Sequence, residues 1–226
     1  MWAVCAFCTF TPAIKLVSFD LPEGAAAAHS ELRTGAFPGG FPDRVHVIFV
    51  SRMLRFTPIS ETQHPLMAEW WQLYETAFPV TERRSMSQHA AALTNPDFHC
   101  IHLSDAAGFV GIMAYWQWQD TIFLEHLAIT PERQGQGLGH QVLDLLQGRV
   151  VVEIEPAADS TSVRRLAFYE SCGFFCLSHP HVQLAYQAGQ PDMPLWLLSR
   201  PHLDDAEVFA FETLYHMGPM QYRDKE

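Results

Sequence analysis

Ile129-Thr130-Pro131-Glu132-Arg133-Gln134-Gly135-Gln136-Gly137-Leu138-Gly139-His140 is the stretch on which the fold turns. An apolar strand runs into a proline turn, then a glycine-rich loop, then a helix whose apolar face is supplied by Val142, Leu143, Leu145 and Leu146. Glycines let a backbone come close to a ligand. The first amides of a helix have no partner within the helix and sit at the positive end of its dipole, so a pyrophosphate can bind there with few cationic side chains. The same three glycines also suit a plain strand-to-helix turn, and alone they do not decide between the two.

Working outward, Thr121–Thr130 precedes the loop as a strand. Phe98–Ser104 and Phe109–Trp118 precede that, joined by the turns Asp105–Gly108 and Gln119-Asp120, so the three form an antiparallel meander. Further upstream, Leu54–Pro58 alternates like a short strand. Leu66, Trp70, Leu73 and Tyr74 recur at helical spacing and predict a helix over 65–77. A second helix is expected to open at Thr81-Glu82-Arg83-Arg84 and run to about Leu93. Downstream of the loop helix, Leu138–Gln147, come strand Arg149–Ile154 and helix 160–172, which ends at Gly173. Strands Phe174–Leu184 and Leu195–Leu198 and a closing helix, Asp204–His216, complete the pattern. This order predicts a mixed α/β sheet covered by helices on both faces.

Residues 1–52 carry no convincing helix or strand pattern and read as a poorly ordered extension, with Met53 as an alternative start. The domain proper is expected over 53–201, with a helix and tail over 202–226.

The loop resembles the GNAT superfamily of acyl-CoA-dependent N-acetyltransferases. That family's pyrophosphate motif, Gln/Arg-x-x-Gly-x-Gly/Ala, is matched by Gln134, Gly137 and Gly139. Its "Leu-Ala-Val"-like triplet at the strand end is matched by Leu127-Ala128-Ile129, and its helix ending in "Phe-Tyr-Glu-x-x-Gly-Phe" by Phe168 to Phe174. The resemblance implies a mostly antiparallel central sheet with one parallel pair at a splayed centre. It further implies an acetyl-CoA co-substrate held by Leu127, Ala128, Ile129, Gln134, Gly135, Gln136, Gly137, Leu138, Gly139 and His140. Ser162 stands where the family often has asparagine, and would keep one hydrogen bond to the cofactor. The His140 ring either adds a donor to phosphate or is a solvated first-turn residue.

Strand alternation puts Phe123, Glu125, Leu127 and Ile129 on one face, with His126 on the other. An alkyl amine of pKa ~10 is only about one part in a thousand neutral at pH 7, so a base is useful. The resemblance assigns that role to Glu125, directly or through water; the alternative is a carboxylate that binds a cationic substrate or pairs with an arginine such as Arg83. Tyr169 is the expected proton donor to the leaving thiolate, or else a core aromatic. Glu82 and Arg83 occupy a loop that commonly shapes acceptor sites in the family, and read as substrate contacts or a solvated pair. Trp70, Trp71, Phe78, Tyr115, Trp116 and Trp118 are an aromatic set, most of it core.

Composition narrows the partners. With 14 Lys+Arg against 25 Asp+Glu, the net charge of −11 repels nucleic acid and attracts an amine, small-molecule or peptide. Five cysteines in no framework suit free thiols in the cytoplasm. No stretch reaches the roughly 18–20 apolar residues of a membrane span, and the apolar start Met1–Leu16 lacks the leading basic charge of a signal peptide. His179-x-His181 and His99-x-x-His102 are weak metal patterns, and no metal is expected. A homodimer is compatible with the sequence. The competing classes are a non-catalytic acyl-CoA sensor and a dinucleotide-binding oxidoreductase with Glu153 or Glu155 as its ribose-binding acid. The latter lacks its third glycine at His140.

Overall fold

The computed structural model describes residues 53–224. The expected extension over 1–52 therefore lies outside the described residues. Eight strands form the sheet: β1 (Arg55–Ile59), β2 (Phe98–Asp105), β3 (Gly108–Trp118), β4 (Thr121–Ile129), β5 (Arg149–Ile154), β6 (Phe175–Cys176), β7 (His181–Gln183) and β8 (Met193–Arg200). Their order is β1-β2-β3-β4-β5-β8-β6, with β7 also pairing to β8. Every pairing is antiparallel except that of β4 with β5. One parallel pair in an otherwise antiparallel sheet is the expected architecture, and it is incompatible with the parallel sheet of a dinucleotide-binding fold.

Helices α1 (Met67–Ala77), α2 (Met86–Ala92) and α5 (Asp205–Met217) cover one face, and α3 (Leu138–Leu145) and α4 (Ser160–Ser171) the other. The first core gathers Trp70, Tyr74, Trp116, Phe123, Phe211 and Tyr215; the second gathers Leu138, Val142, Leu143, Phe168 and Tyr169. Burying each large apolar side chain contributes about 1.5–3 kcal/mol, so the two faces hold the sheet between them.

Three sequence expectations are corrected. First, no helix opens at Thr81. Val80–Glu82 forms one 3-10 turn, and the chain is extended at Arg83 (φ −138°). Ser85 then caps α2, accepting from the Gln88 amide while the Gln88 side chain accepts from the Ser85 amide. The serine and glutamine make a capping box, a stronger start signal than the charged run before it.

Second, the strand expected over Phe174–Leu184 is two pieces, β6 and β7. Pro180 stands between them and has no N–H to give a ladder.

Third, β4 does not alternate throughout. Ala114 pairs with His126 but Tyr115 pairs with Leu124, which leaves Glu125 as the extra residue of a β-bulge. Phe123 and Ala128 face the first core, whereas Leu124, Leu127 and Ile129 face the second. The face expected to hold Phe123, Glu125, Leu127 and Ile129 together is split, because the bulge shifts the alternation in mid-strand.

Candidate active site

The ladder between β4 and β5 joins Thr121–Leu124 to Arg149–Val152 and stops there. Beyond it the two strands part. The cleft so opened is lined by Leu124, Glu125, His126 and Leu127 from β4 and by Glu153, Ile154 and Glu155 from β5. Phe78, Glu82, Arg165, Tyr169 and Tyr186 also line it. Leu127, Ala128 and Ile129 pair with Met113, Ile112 and Gly111 of β3 and have no β5 residue opposite them.

The glycine loop lies at the end of this strand. Gly135 and Gly137 both have φ +73°, the left-handed region that glycine adopts without steric cost, and a Cβ at either would meet nothing within 4 Å. Gly137 is the N-cap of α3, with no side chain to cap it, so the helix's first amides, Leu138, Gly139 and His140, are left for a ligand. That open, uncapped turn fits a diphosphate. Around it the loop is braced. The Gln134 side chain donates to the Ile129 carbonyl (3.0 Å), the Gln136 side chain to the Glu132 carbonyl (3.1 Å), and Arg133 pairs with Asp105. Gly139 has a packing reason, since a Cβ there would lie 3.2 Å from the Phe168 ring of α4. The His140 ring meets the Ser171 hydroxyl (3.0 Å) and stands edge-on to Phe168.

Ser162 is engaged within its own helix. Its hydroxyl accepts from the Ala158 and Asp159 amides (3.0 Å each) and donates to Asp159, as part of the box that caps α4. Sequence expects a cofactor contact from this hydroxyl, and here it serves the helix cap.

Tyr169 lines the cleft from α4, packed edge-on between Phe168 and Phe174. Burial, only partly opposed by the positive charge of Arg165, pushes its hydroxyl up to about 12, so it keeps its proton at neutral pH.

Glu125 is the most constrained side chain of the site. It is fully buried, and Arg84, equally buried, donates to it at 2.7 Å. The Trp116 indole N–H (3.1 Å) and the Tyr186 hydroxyl (2.6 Å) donate to it as well. Burial alone would raise its pKa. The Arg84 charge outweighs that, with help from His126 and the hydrogen bonds, and holds the carboxyl well below its usual range. A carboxylate so strongly stabilised as the anion is a poor proton acceptor. The arginine it pairs with is Arg84, not Arg83. The Arg84 guanidinium also donates to the Pro219 carbonyl (3.0 Å) and sits 4.7 Å from the Tyr186 ring and 5.7 Å from that of Trp116. Arg83, expected as a substrate contact or one of a solvated pair, reaches Glu75 on α1 (3.1 Å) and is not among the residues lining the cleft. Extended backbone at Arg83 sends the two arginines to opposite sides.

Glu82 does line the cleft. Its carbonyl accepts from the ring Nε2 of His126 (2.8 Å), which, contrary to simple alternation, stands on the Glu125 side. Burial chiefly, opposed by Arg165 and reinforced by Glu153, pushes the Glu82 carboxyl up to about 7. Sequence reasoning missed Arg84, Tyr186 and Trp116 as the partners of Glu125, and local sequence carries no signal of those contacts.

Among the described residues no group of three or more His, Cys, Asp or Glu could hold a metal, and no helix is long and apolar enough to cross a membrane. His99 stacks on Tyr115, and His102 pairs with Glu69 (2.8 Å).

Residues 65–174 match the Acetyltransferase (GNAT) family. YjbC of Bacillus subtilis (strain 168), named as a candidate acetyltransferase, is 26% identical over 106 residues, which is 45% of this chain and 54% of YjbC. The chain thus spans about half the length of this curated relative. A candidate GNAT-family acetyltransferase from Bacteroides thetaiotaomicron superposes with a TM-score of 0.66 at 24% identity, over 76% of this chain and 99% of that one, and shares its fold. The parted strands, the uncapped glycine turn and the family match fall on one segment, and residues 65–174 carry a domain similar to those of the GNAT family of acetyltransferases.

Proposed function

We propose that the protein transfers an acetyl group from acetyl-CoA to a primary amine by direct attack on the thioester. The observation that carries this reading is the uncapped N-terminus of α3 beside the parted strands β4 and β5, with Tyr169 and Glu82 lining the same cleft. The amides of Leu138, Gly139 and His140, with the open backbone of Gly135, Gln136 and Gly137, hold the diphosphate. The edge of β4 at Leu127, Ala128 and Ile129 receives the pantetheine arm and polarises the carbonyl. Bound acetyl-CoA supplies an activated acyl group and a thiolate leaving group.

Glu82 takes the proton from the amine, since its pKa of about 7 leaves it close to half ionised at neutral pH. Glu125, the acid that sequence suggested for this role, is a positioning residue that fixes the bulged strand through Arg84. Tyr169 gives its proton to the departing sulfur. Glu82, Glu153 and Glu155 make the cleft wall acidic, which suits an acceptor arriving as a cation.

A thiol-release assay across an amine library, beside calorimetric titration with acetyl-CoA, tests the reading. A base works deprotonated, so kcat rises with pH through about 7, the value to which Glu82 is pushed. Glu82→Gln lowers kcat about 10²-fold and removes that rise. If acetyl-CoA binds but no amine yields thiol, the chain is an acyl-CoA sensor instead.

A further inference from the structure

Thr81, Glu82 and Arg83 present three consecutive main-chain carbonyls, and each accepts from a side chain that arrives from far along the chain. Gln183 donates to the Thr81 carbonyl (3.0 Å), the His126 ring to that of Glu82 (2.8 Å) and Gln187 to that of Arg83 (3.0 Å), across 102, 44 and 104 residues. Among the described residues none of the three carbonyls accepts from a backbone amide. The turn itself is Val80–Glu82, a single 3-10 turn too short to hold its shape unaided. The Glu82 carboxyl, by contrast, makes no hydrogen bond or ion pair among the described residues, and Glu82 lines the cleft.

We propose that Gln183 and Gln187 are positioning residues, which with the His126 ring clamp the main chain of 81–83 and so hold the Glu82 carboxyl in the cleft. This rests on the acetyl-transfer reading above, with Glu82 as the base. A base must stand within hydrogen-bond reach of the proton it takes, so a loop too short to fix itself has to be fixed from outside. Glutamine suits that task. Its amide donates to a carbonyl without adding charge, whereas a lysine or arginine there would stabilise the Glu82 anion and weaken the base. The clamp fixes the backbone on both sides of Glu82 and leaves its carboxyl for the acceptor.

Both glutamines sit on one short segment. Alternation along β7 buries His181 and Gln183 and exposes Val182. Among the described residues β7 pairs with β8 alone, so its inward side chains anchor it. His181 meets Glu153 of β5 through Nε2 and Glu212 of α5 through Nδ1 (2.7 Å). Between the glutamines, the Tyr186 hydroxyl donates to Glu125 (2.6 Å), and Gln88 of α2 donates to the Tyr186 carbonyl (2.6 Å). The segment 183–187 is thus a strap tied to its surroundings, and its donors converge on the Glu82 turn and on Glu125. Gln183 also lines the cleft, whereas Gln187 does not. An effect at Gln187 therefore acts through the loop and not by touching substrate.

The test reads where the Glu82 carboxyl stands. The titratable groups that line the cleft with it are Arg165 and Tyr169 of α4, Glu153 and Glu155 of β5, Glu125 and His126 of β4, and Tyr186. Exchanging Gln183 or Gln187 for methionine alters none of them and removes only the donor. In the full chain, kcat and KM for acetyl-CoA are measured against pH for Gln183→Met and Gln187→Met. The Glu82 carboxyl is titrated separately by NMR of protein labelled at its glutamate carboxyls, its signal assigned by its loss in Glu82→Gln. Each variant should lose about tenfold in kcat, with KM for acetyl-CoA unchanged. Burial chiefly holds the Glu82 midpoint at about 7, so a released carboxyl should titrate closer to the ordinary 4.5 and the rise in kcat should move to lower pH with it. Gln187→Met, at a half-buried position, keeps the test decisive if Gln183→Met does not fold. A Gln187→Met enzyme with parental kcat and midpoint overturns the clamp, and so does a fall in kcat with the midpoint unmoved, the mark of a merely structural bond. Parental kcat in Glu82→Gln overturns the base reading, and parent protein that binds acetyl-CoA and releases no thiol overturns the transfer reading. Both are separate results, because the NMR titration reads the clamp without turnover.

Discussion

On the α3 side of the cleft, the groups that would face a ligand are main-chain amides gathered within a few consecutive residues around Gly137. On the other side, Glu125 is held by Trp116, Arg84 and Tyr186, which are 9, 41 and 61 residues away, and Arg84 reaches Pro219 across 135. The first wall is made of backbone conformation and the second of side chains that meet only once the whole domain has closed. Backbone sites tolerate changes around them as long as the glycines keep their left-handed torsions. A buried charged network tolerates almost none, since removing one partner strands the other in a medium that cannot solvate it.

The largest expected effect comes from breaking the second wall. Arg84→Met leaves Glu125 buried without its counter-charge and should cost about 3–5 kcal/mol, read as a fall in Tm. The acid limb supports the same measurement. Because the Glu125 pKa is depressed in the folded state, the stability it contributes is present above its unfolded value of 4.5 and is lost as pH falls through the lower folded value. In Arg84→Met that acid-side loss should shrink, and a parental acid limb would show that the pair contributes little.

Next in size is the chemistry that both walls share. Tyr169→Phe should lower kcat about 10²-fold and leave acetyl-CoA affinity intact, and an unchanged rate would remove Tyr169 from the mechanism.

The first wall should respond differently. Gly137→Val forces a β-branched residue into φ +73° at a cost of about 1–2 kcal/mol, enough to weaken acetyl-CoA binding roughly tenfold by calorimetry. Parental affinity would mean that the turn is not the anion site.

The smallest effect is expected at Ser162→Ala. It should cost about 1 kcal/mol or less in stability through loss of the reciprocal half of the α4 capping box, with Asp159 still capping the helix, and leave acetyl-CoA affinity unchanged. Weakened binding by that variant would return Ser162 to the cofactor site.

What could be read beforehand follows the same division. The meander, the loop and α3 are specified by near-neighbour signals: turn residues, glycines and apolar periodicity. They fall within a residue or two of where sequence put them. Gly139 was legible as a motif position, although its contact with Phe168 was not. The choice of Arg84 over Arg83 depends on where Ser85 starts its helix, and the Ser85–Gln88 box was a signal that could have been used. The partnership of Tyr186 with Glu125 had no local signal at all. Alternation failed at Glu125 because a strand's period is assumed to be unbroken, and nothing in Leu124-Glu125-His126 announces an extra residue.

That extra residue gives β4 two reading frames. Before the bulge, odd-numbered Phe123 belongs with the core under α1 and α5; after it, even-numbered Ala128 does. Deleting one residue at 125–126 would therefore not just remove a side chain. Restoring a single parity would turn one half of the strand inside out, sending Leu127 and Ile129 toward the wrong helices or else Phe123 away from its own. The irregularity works as a phase adjuster, which lets one strand serve two differently patterned interiors while a carboxylate sits where the frames change.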